Sequence, residues 1–273
     1  MTPHACIEQG SGDTAVVLLH GIGGGAAIWG EHASGTMSAI ADAGLRAVAM
    51  DFPGYGAAAD DGPPALARMV AGLALVLQRL RARRVALLGH SMGGMVAQEF
   101  VAQEFLTRNA LAGDAGSVHG LILACTSASF GSRDGDWQAR VITERLAPLD
   151  AGLGMPAMAQ RLVPGLVAPA ATARVRDIAI EVMSRVPEAS YRAALRAISG
   201  FDRRAALAHI SLPTLMLAAA LDRTAPAEAM RRMAERVPGS EYVCIAAAGH
   251  IANVEQPVAF NAAVVEFLRR HFL

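Results

Sequence analysis

The sequence contains no lysine, because all 24 of its basic residues are arginine. This absence excludes a Schiff-base lysine, the lysine of a phosphate-binding P-loop and a Ser-Lys catalytic pair. The sequence also lacks net charge, since 24 acidic residues balance the arginines. A neutral chain has no general attraction for nucleic acid or for an anionic membrane surface. We therefore expect a small-molecule substrate, and neither a nucleic-acid nor a membrane partner.

Cysteine is scarce, with three widely separated residues, Cys6, Cys125 and Cys244. An odd number of cysteines in apolar, strand-like segments argues against a disulfide framework and against a thiolate metal site. We expect buried free thiols in a reducing cytoplasm. The sequence also shows no secretory signal at its start and no apolar run close to the roughly 18 residues that span a bilayer. We expect a cytoplasmic monomer or homodimer that uses neither a metal nor a cofactor.

Hydrophobic residues make up 53% of the 273 residues, which is enough for one large domain or for a core with a cap. Short apolar runs alternate with longer helical patterns, as is typical of a parallel sheet covered by helices on both faces. The predicted strands are residues 15–19, 46–50, 85–88, 120–124, 213–217 and 242–245. The predicted helices are residues 35–43, 66–81, 92–108, 227–236 and 258–271. We therefore predict the α/β class with a mostly parallel, twisted sheet.

One long segment interrupts this alternation, because it contains helical patterns but no strand. The helical patterns cover residues 136–146, 170–184 and 190–198. Open α/β sheets bind ligands at the carboxyl ends of their strands, so an insertion between two late strands is well placed to cover a site there. We predict a core domain of residues 1–130 and 209–273 and a helical cap of residues 131–208.

The motif with the most chemical content is GHSMGG at residues 89–94. An apolar strand runs directly into it and a helical pattern runs directly out, which is the context of a G-x-S-x-G nucleophile elbow. Gly89 and Gly93 flank Ser91 where a side chain would clash in the strained turn. The turn exposes the Ser91 hydroxyl and places the Met92 backbone N–H at a helix N-terminus, where it can donate to an oxyanion.

A serine nucleophile needs a base, and each of the eight histidines is a candidate. His20 and His90 adjoin turn residues, so we expect their imidazoles to hydrogen-bond locally. His250 follows the last predicted strand through the small-residue loop 246–249, which lets its imidazole reach over the edge of the sheet. The helix after Pro257 then anchors this loop. We therefore predict His250 as the base.

The base needs an orienting acid beyond a strand end, between the serine and the histidine in the order of this fold. Asp222 follows the strand that begins near Thr214, and Pro226 then opens a helix. Asp202 lies at the end of the cap, and Asp51 follows a strand that precedes the nucleophile. We predict Asp222 as the orienting acid and structural roles for Asp202 and Asp51.

A second oxyanion donor is expected from the glycine-rich loop at residues 20–25, in which the Ile22 backbone N–H can face Ser91. The glycines also suit a phosphate-binding loop. The spacing is not G-x-G-x-x-G, however, and Asp51 lies too far along the chain to bind a ribose. We therefore predict the oxyanion role.

Together these motifs resemble the α/β-hydrolase superfamily over nearly the whole chain. The matching segments are its oxyanion loop at residues 19–24, its D-x-P-G-x-G turn at 51–56, its nucleophile elbow at 89–94, its acid turn at 222–226 and its histidine loop at 248–250. The resemblance implies a triad of Ser91, Asp222 and His250. A serine at position 91, where haloalkane dehalogenases have aspartate, argues against dehalogenation. Cofactor-free perhydrolases share this triad.

Residues 200–257 most resemble 3-oxoadipate enol-lactone hydrolases, with meta-cleavage-product hydrolases as close cousins. The resemblance implies hydrolysis of a small carboxylic ester or lactone by acyl transfer. The alternatives are a carbon-carbon bond hydrolase of 2-hydroxy-6-oxo-dienoates and a non-catalytic hydrolase-fold protein that binds a ligand.

Substrate contacts are expected from apolar residues of the cap and from neighbours of the nucleophile. The candidates are Trp29, Phe130, Trp137, Met155 and Ile251. The cap also carries many arginines, and one or two that point inward would bind a substrate carboxylate in bidentate fashion. The candidates are Arg133, Arg140, Arg145, Arg161, Arg174, Arg176, Arg185, Arg192 and Arg196.

Overall fold

The computed structural model describes residues 6–108, 118–131 and 135–273. Within these ranges seven strands form one sheet in the order β1-β3-β2-β4-β5-β6-β7. Strand β1 is antiparallel to β3, and all other neighbours are parallel. The strands are β1 (Cys6–Gln9), β2 (Thr14–Leu19), β3 (Arg46–Met50), β4 (Arg84–His90), β5 (Val118–Ala124), β6 (Thr214–Ala219) and β7 (Glu241–Ile245). The prediction of the α/β class is confirmed.

The central strands are buried on both faces, which explains why they read as continuous apolar runs. All residues of β2 after Thr14 are buried, and Val17 pairs with Val48 of β3 on one side and Leu87 of β4 on the other. The helices are α1 (Thr36–Asp42), α2 (Leu66–Leu80), α3 (Met92–Arg108), α4 (Gly135–Asp150), α5 (Gly154–Leu166), α6 (Ala173–Ser184), α7 (Glu188–Ser199), α8 (Ala227–Ala234), α9 (Ala252–Glu255) and α10 (Pro257–Phe272). Those outside the connection between β5 and β6 include the helices that cover the two faces of the sheet, among them α1, α3, α8 and α10.

Strand β1 and helix α5 were not predicted from the sequence. Strand β1 lies at the edge of the sheet, and Ile7 is 48% exposed there, so it has no buried face to produce an apolar pattern. Helix α5 contains Pro156 in its first turn and Pro164 near its end. Two prolines make this helix difficult to predict from the sequence, because proline usually interrupts a helix. Proline is tolerated in the first turn, however, because the N–H there has no intrahelical acceptor.

The order of the strands places a crevice above β2 and β4. The chain leaves β2 for β3 on one side, whereas β4 pairs with β2 on the other. Ligands of open α/β sheets bind outside the carboxyl ends of the strands at such a reversal. The loop that begins at His20 follows β2, and Ser91 follows β4, so both lie at this crevice.

Helices α4 to α7 lie in the connection between β5 and β6, and the two ends of this insertion meet in a narrow neck. The Phe130 N–H donates to the Phe201 carbonyl oxygen at 2.9 Å, and the Arg203 N–H donates to that of Ala128 at 2.7 Å. The neck lies beside the predicted start of the cap at residue 131. A paired neck fixes the insertion at both ends to the same point of the core.

The three cysteines are free thiols, but they are not all buried. Cys125 is buried after β5, and Cys6 is half-buried in β1. Cys244 is exposed, so the expectation of a buried thiol is wrong for it, because β7 is an edge strand with side chains that face solvent. In the described part of the chain, we find no helix with the length and apolar character needed to cross a membrane.

Candidate active site

Ser91 lies in a strained turn between β4 and α3, with a φ of 53° in the left-handed region. The positions on either side of the turn must be glycine, because neighbouring backbone atoms come too close there for a side chain. A Cβ on Gly89 would lie 2.5 Å from the Gly93 carbonyl oxygen, and one on Gly93 would lie 2.2 Å from that of Leu19. The elbow therefore packs against the end of β2, and its serine faces the crevice.

A chain of hydrogen bonds connects Ser91, His250 and Asp222. His250 Nε2 lies 2.9 Å from Ser91 Oγ, and His250 Nδ1 lies 2.8 Å from Asp222 Oδ2. The other carboxylate oxygen of Asp222 accepts the backbone N–H groups of Thr224 at 2.7 Å and Ala225 at 2.9 Å. The structure thus brings together the three residues that the sequence singled out.

The electrostatics favour a charged Asp222. Burial by itself would raise the pKa of this carboxyl. Hydrogen bonds and charge attraction from His250, with the two backbone N–H groups, outweigh burial and hold the pKa below its usual value. An ionised carboxylate can accept the Nδ1–H of His250, which leaves Nε2 free to accept a proton from Ser91.

Two adjacent loops position Asp222 and His250. The loop after β6 donates from Ala220 N–H to the Ile245 carbonyl oxygen at 3.0 Å and from Leu221 N–H to that of Ala248 at 2.8 Å. Because β6 and β7 are neighbours, these bonds join the two loops beyond the sheet. Asp222 and His250 therefore come from different loops that are hydrogen-bonded to each other.

Glu255 holds the histidine loop from the other side, and sequence reasoning missed it. Its carboxylate accepts the N–H groups of Gly249 at 2.9 Å and Ile251 at 3.2 Å, on either side of the histidine. It also accepts the N–H of Ala168, which follows α5, at 2.7 Å. The His250 N–H donates to the Leu166 carbonyl oxygen at 2.6 Å, so the loop is fixed to the insertion as well as to the core.

Two further histidines lie near this chain but have other partners. His20 Nδ1 lies 2.8 Å from the Gly21 carbonyl oxygen, as the expectation of a local hydrogen bond requires, and its Nε2 accepts the Phe52 N–H. His90 Nε2 donates to the His250 carbonyl oxygen at 2.7 Å, so its bond is not local as predicted. Burial, and to a smaller extent the neighbouring His250, lowers the pKa of His90 to about 4. His90 is therefore a neutral support for the histidine loop.

The other two acids considered from the sequence have local partners. Asp51 accepts the backbone N–H groups of Ala26 at 2.7 Å and Ala57 at 3.1 Å, and so joins two loops. Asp202 pairs with Arg204 at the neck of the insertion. Neither contacts the histidine chain. In the described residues, no group of three or more His, Cys, Asp or Glu side chains is arranged to hold a metal ion.

The glycine-rich loop after β2 lies directly against Ser91. A Cβ on Gly21 would lie 3.3 Å from Ser91 Cβ. The Ile22 carbonyl oxygen is turned toward Tyr55, which donates its hydroxyl to it at 3.2 Å. Met92 is the first residue of α3, so its backbone N–H has no intrahelical acceptor. These are the positions at which the sequence predicts the two oxyanion donors.

A cavity of about 570 Å³ lies above Ser91, between the core and the insertion. Phe130, Trp137 and Ile251 line it, as predicted. Trp29 does not, because it is fully buried behind the site between His90 and Phe260, and its neighbour Ile28 lines the cavity instead.

Met155 is also not a wall residue, since it is buried inside the insertion. Among the candidate arginines Arg145 alone lines the cavity in the described part of the chain, and Arg133 lies outside the described residues. Sequence reasoning missed several apolar or aromatic wall residues, because their helical spacing does not show which face is turned to the core. They include Met95, Tyr191, Leu195 and Ile198.

Comparison with known proteins identifies the family. A model of the alpha/beta hydrolase family matches residues 16–263, so the chain belongs to this family. RutD of Variovorax paradoxus, a candidate carbamate hydrolase, is 31% identical over 94% of this chain and 92% of its own. A 2-hydroxy-6-oxononadienedioate/2-hydroxy-6-oxononatrienedioate hydrolase of a Pseudomonas species is 29% identical over 96% of this chain and 90% of its own.

Among solved structures, an enol-lactonase from Burkholderia xenovorans has the same fold. It superposes with a TM-score of 0.80 at 23% identity, over 97% of this chain and 96% of its own. The protein is thus a hydrolase with the α/β-hydrolase fold, and its bond specificity depends on the site itself.

Proposed function

We propose that this protein hydrolyses a small carboxylic ester or lactone by acyl transfer to Ser91. The observation that carries the proposal is the continuous hydrogen-bonded chain from Ser91 through His250 to Asp222 beneath a mostly apolar cavity. Such a chain converts a weakly nucleophilic hydroxyl into a nucleophile. A cavity of about 570 Å³ accommodates a small organic acyl compound.

In the first half of the reaction, His250 Nε2 accepts the proton of the Ser91 hydroxyl as Oγ attacks the substrate carbonyl carbon. Asp222 holds the imidazole in the correct tautomer and stabilises the imidazolium that forms. The carbonyl oxygen becomes an oxyanion, and the backbone N–H groups of Ile22 and Met92 donate to it. His250 then returns the proton to the leaving alkoxide, or to the ring oxygen of a lactone, and an acyl-enzyme remains.

In the second half of the reaction, water replaces the alcohol. His250 removes a proton from the water as it attacks the acyl carbon, and the same two backbone donors stabilise the second oxyanion. Collapse of this intermediate breaks the bond to Ser91 Oγ, which takes the proton back from His250. The products are a carboxylic acid and the regenerated enzyme.

A second candidate is hydrolysis of a carbon-carbon bond in a 2-hydroxy-6-oxo-dienoate. The relative from Pseudomonas, at 29% identity, carries a name of this type and favours it. This reaction needs an additional proton transfer, because the dienol must become a ketone before its carbonyl group is attacked. A ligand-binding protein without activity is the candidate of another class, and a hydrogen-bonded Ser91 argues against it.

The test measures turnover of p-nitrophenyl acetate and butyrate, an enol-lactone and a 2-hydroxy-6-oxo-dienoate by the wild type and Ser91→Ala. We expect ester or lactone cleavage to fall by about 1000-fold or more in the variant. Ser240→Ala is the matched control, since that hydroxyl only donates to the Ala234 carbonyl oxygen. We expect it to retain wild-type rates.

The outcomes separate the three candidates. Cleavage of the ester or lactone that depends on Ser91 supports acyl transfer, whereas rapid loss of the dienoate chromophore alone moves the protein to the carbon-carbon hydrolases. Equal rates for wild type and Ser91→Ala refute the assignment of the nucleophile. Binding of a substrate without turnover by the wild type would indicate the ligand-binding protein.

A further inference from the structure

The glycine-rich loop after β2 contains a hydrogen-bonded turn that begins at Gly21. The Gly24 N–H donates to the Gly21 carbonyl oxygen at 3.0 Å, so Ile22 and Gly23 are the two central residues. The φ of Gly23 does not lie in the left-handed region that a type II turn requires there, so the turn is of type I. In a type I turn the first central residue has a helical backbone, and its N–H and C=O groups point in opposite directions. Both peptide groups of Ile22 therefore matter to the site, because its N–H is the expected oxyanion donor.

The peptide group between Gly21 and Ile22 is held by two bonds. Its carbonyl oxygen accepts the Gly24 N–H and also lies 2.8 Å from Nδ1 of His20. His20 Nε2 accepts the Phe52 N–H at 3.2 Å, so the imidazole carries its proton on Nδ1 and donates it to the Gly21 carbonyl oxygen. Burial lowers the pKa of His20, which keeps the ring neutral. Because the N–H of a trans peptide points away from its carbonyl oxygen, these bonds fix the direction of the Ile22 N–H.

The next peptide group, between Ile22 and Gly23, is held by one side chain. Its carbonyl oxygen accepts the hydroxyl of Tyr55 at 3.2 Å, and no other donor among the described residues reaches this oxygen. Tyr55 is fully buried, and burial raises the pKa of its hydroxyl, so the phenol stays protonated and can donate. Ser190 of α7 donates its hydroxyl to the Gly54 carbonyl oxygen at 2.6 Å. The insertion therefore holds the residue that precedes Tyr55.

Glycine at position 23 allows this second peptide group to rotate. Rotation by about 180° converts a type I turn into a type II turn and brings φ of the third residue to about +80°, which glycine adopts without steric cost. The rotation would turn the Ile22 carbonyl oxygen to the same side as the Ile22 N–H. A carbonyl oxygen carries partial negative charge, so it would repel the oxyanion that this N–H is expected to stabilise.

We propose that Tyr55 is a positioning residue for the oxyanion site, because its hydroxyl keeps the Ile22 carbonyl oxygen turned away from the atom that becomes the oxyanion. Tyr55 does not line the cavity, so it acts on the reaction only through this peptide group. This inference rests on the proposed function, since it concerns the oxyanion of acyl transfer at Ser91.

The kinetic test is a double-mutant cycle of Tyr55→Phe and Gly23→Ala, with p-nitrophenyl butyrate as substrate. Tyr55→Phe keeps the ring and removes the donor, so we expect kcat to fall by about 10-fold. This is less than the loss of about 100- to 1000-fold that follows removal of an oxyanion donor. We expect KM to change little, because the substrate carries no oxyanion before the attack.

The second substitution of the cycle tests whether the hydroxyl acts on the peptide group. Gly23→Ala disfavours the type II turn, because alanine rarely adopts a positive φ. A Cβ there has room, since its nearest contacts are side-chain atoms of Met183 at 3.5 Å. In a protein that already carries Gly23→Ala, we therefore expect Tyr55→Phe to lower kcat by less than about 3-fold.

The matched control is Tyr242→Phe. The Tyr242 hydroxyl also donates to a backbone carbonyl oxygen, that of Ala227 at 3.0 Å, and does not contact the loop after β2. We expect this variant to keep the wild-type kcat, with and without Gly23→Ala. A wild-type kcat in Tyr55→Phe overturns the proposal. An equal loss from Tyr55→Phe with and without Gly23→Ala also overturns it, because the hydroxyl would then act by another route.

A stoichiometric reaction separates this inference from the proposed function. In a p-nitrophenyl alkylphosphonate, Ser91 Oγ forms a bond to phosphorus and p-nitrophenolate leaves, while the phosphoryl oxygen takes the place of the oxyanion. Release that depends on Ser91, that Tyr55→Phe slows by about 10-fold and that Gly23→Ala largely restores supports the positioning role even if no ester or lactone is turned over. Release that depends on Ser91 but is unchanged in Tyr55→Phe overturns the positioning role alone. Equal release by the wild type and Ser91→Ala overturns both.

Discussion

The carboxylate of Glu255 offers a direct test of how the histidine loop is held. Glu255→Ala removes the acceptor of three backbone N–H groups, those of Gly249, Ile251 and Ala168. A donor that loses its partner costs about 1 kcal/mol or more where water does not replace it fully. Three donors therefore correspond to a loss of about 3 kcal/mol in the free energy of unfolding. For a chain of this size we expect Tm to fall by about 6–12 °C.

The activity should fall as well, because the same carboxylate fixes the backbone on both sides of His250. A displacement of the imidazole by about 1 Å costs on the order of 100-fold in rate. Glu255 does not line the cavity, so we expect kcat to fall by about 10- to 100-fold while KM changes little. Measurement of kcat and KM well below the Tm of the variant separates this effect from unfolding.

Two comparisons define the result. Glu235→Ala is the matched control, since Glu235 is exposed and pairs only with Arg231 at the surface. We expect it to keep the wild-type Tm and kcat. Glu255→Gln keeps one acceptor oxygen but turns an amide NH₂ toward the remaining backbone N–H groups, so we expect losses in Tm and kcat smaller than those of Glu255→Ala. A Glu255→Ala protein with wild-type Tm and kcat would refute the reasoning.

Two other predictions concern the elbow and its support. Gly93→Ala places a methyl group 2.2 Å from a backbone carbonyl oxygen, so we expect it to abolish activity and lower Tm. Gly165→Ala is the control, because Gly165 lies inside α5 with open space around its Cβ, and it should raise stability by about 0.5–1 kcal/mol. Thermal melts of the two variants test this. A wild-type melt for Gly93→Ala would contradict the close approach. Because the pKa of His90 is lowered to about 4, the unfolded state binds a proton there between about pH 6.5 and 4 that the folded state does not. Stability should therefore fall as pH falls, and the part due to His90 reaches about 3 kcal/mol in the free energy of unfolding at pH 4. His90→Gln should remove this part, and an unchanged pH dependence of the free energy of unfolding would contradict the shift.

The elbow could be predicted from sequence because its requirements are local. Gly89, Ser91 and Gly93 lie within five residues, and the strand and helix on either side are visible as periodic patterns. The central strands could be predicted equally well, because burial on both faces leaves a continuous apolar run in the sequence. Asp222 and His250 followed from the order of elements, since each comes after a strand that ends at the same edge.

The walls of the cavity could not be predicted in the same way. Ile28 and Trp29 are neighbours in one short helical turn, and only the packing of Phe260 and His90 turns the tryptophan away from the cavity. Arg145 cannot be told from other arginines of the insertion until α4 is placed against α7. Such choices depend on how helices pack, which hydrophobic spacing alone does not determine.

The insertion both covers the cavity and contacts the loop that carries His250, and different parts of it make the two sets of contacts. Helices α4 and α7 carry Arg145 and Tyr191, which face the cavity. The end of α5 contacts the histidine loop instead, through the Leu166 carbonyl oxygen and the Ala168 N–H. Changes in α4 and α7 can therefore alter which acyl group fits without moving His250. Changes at the end of α5 should displace His250, the proposed base, so we expect them to reduce the rate for every substrate alike.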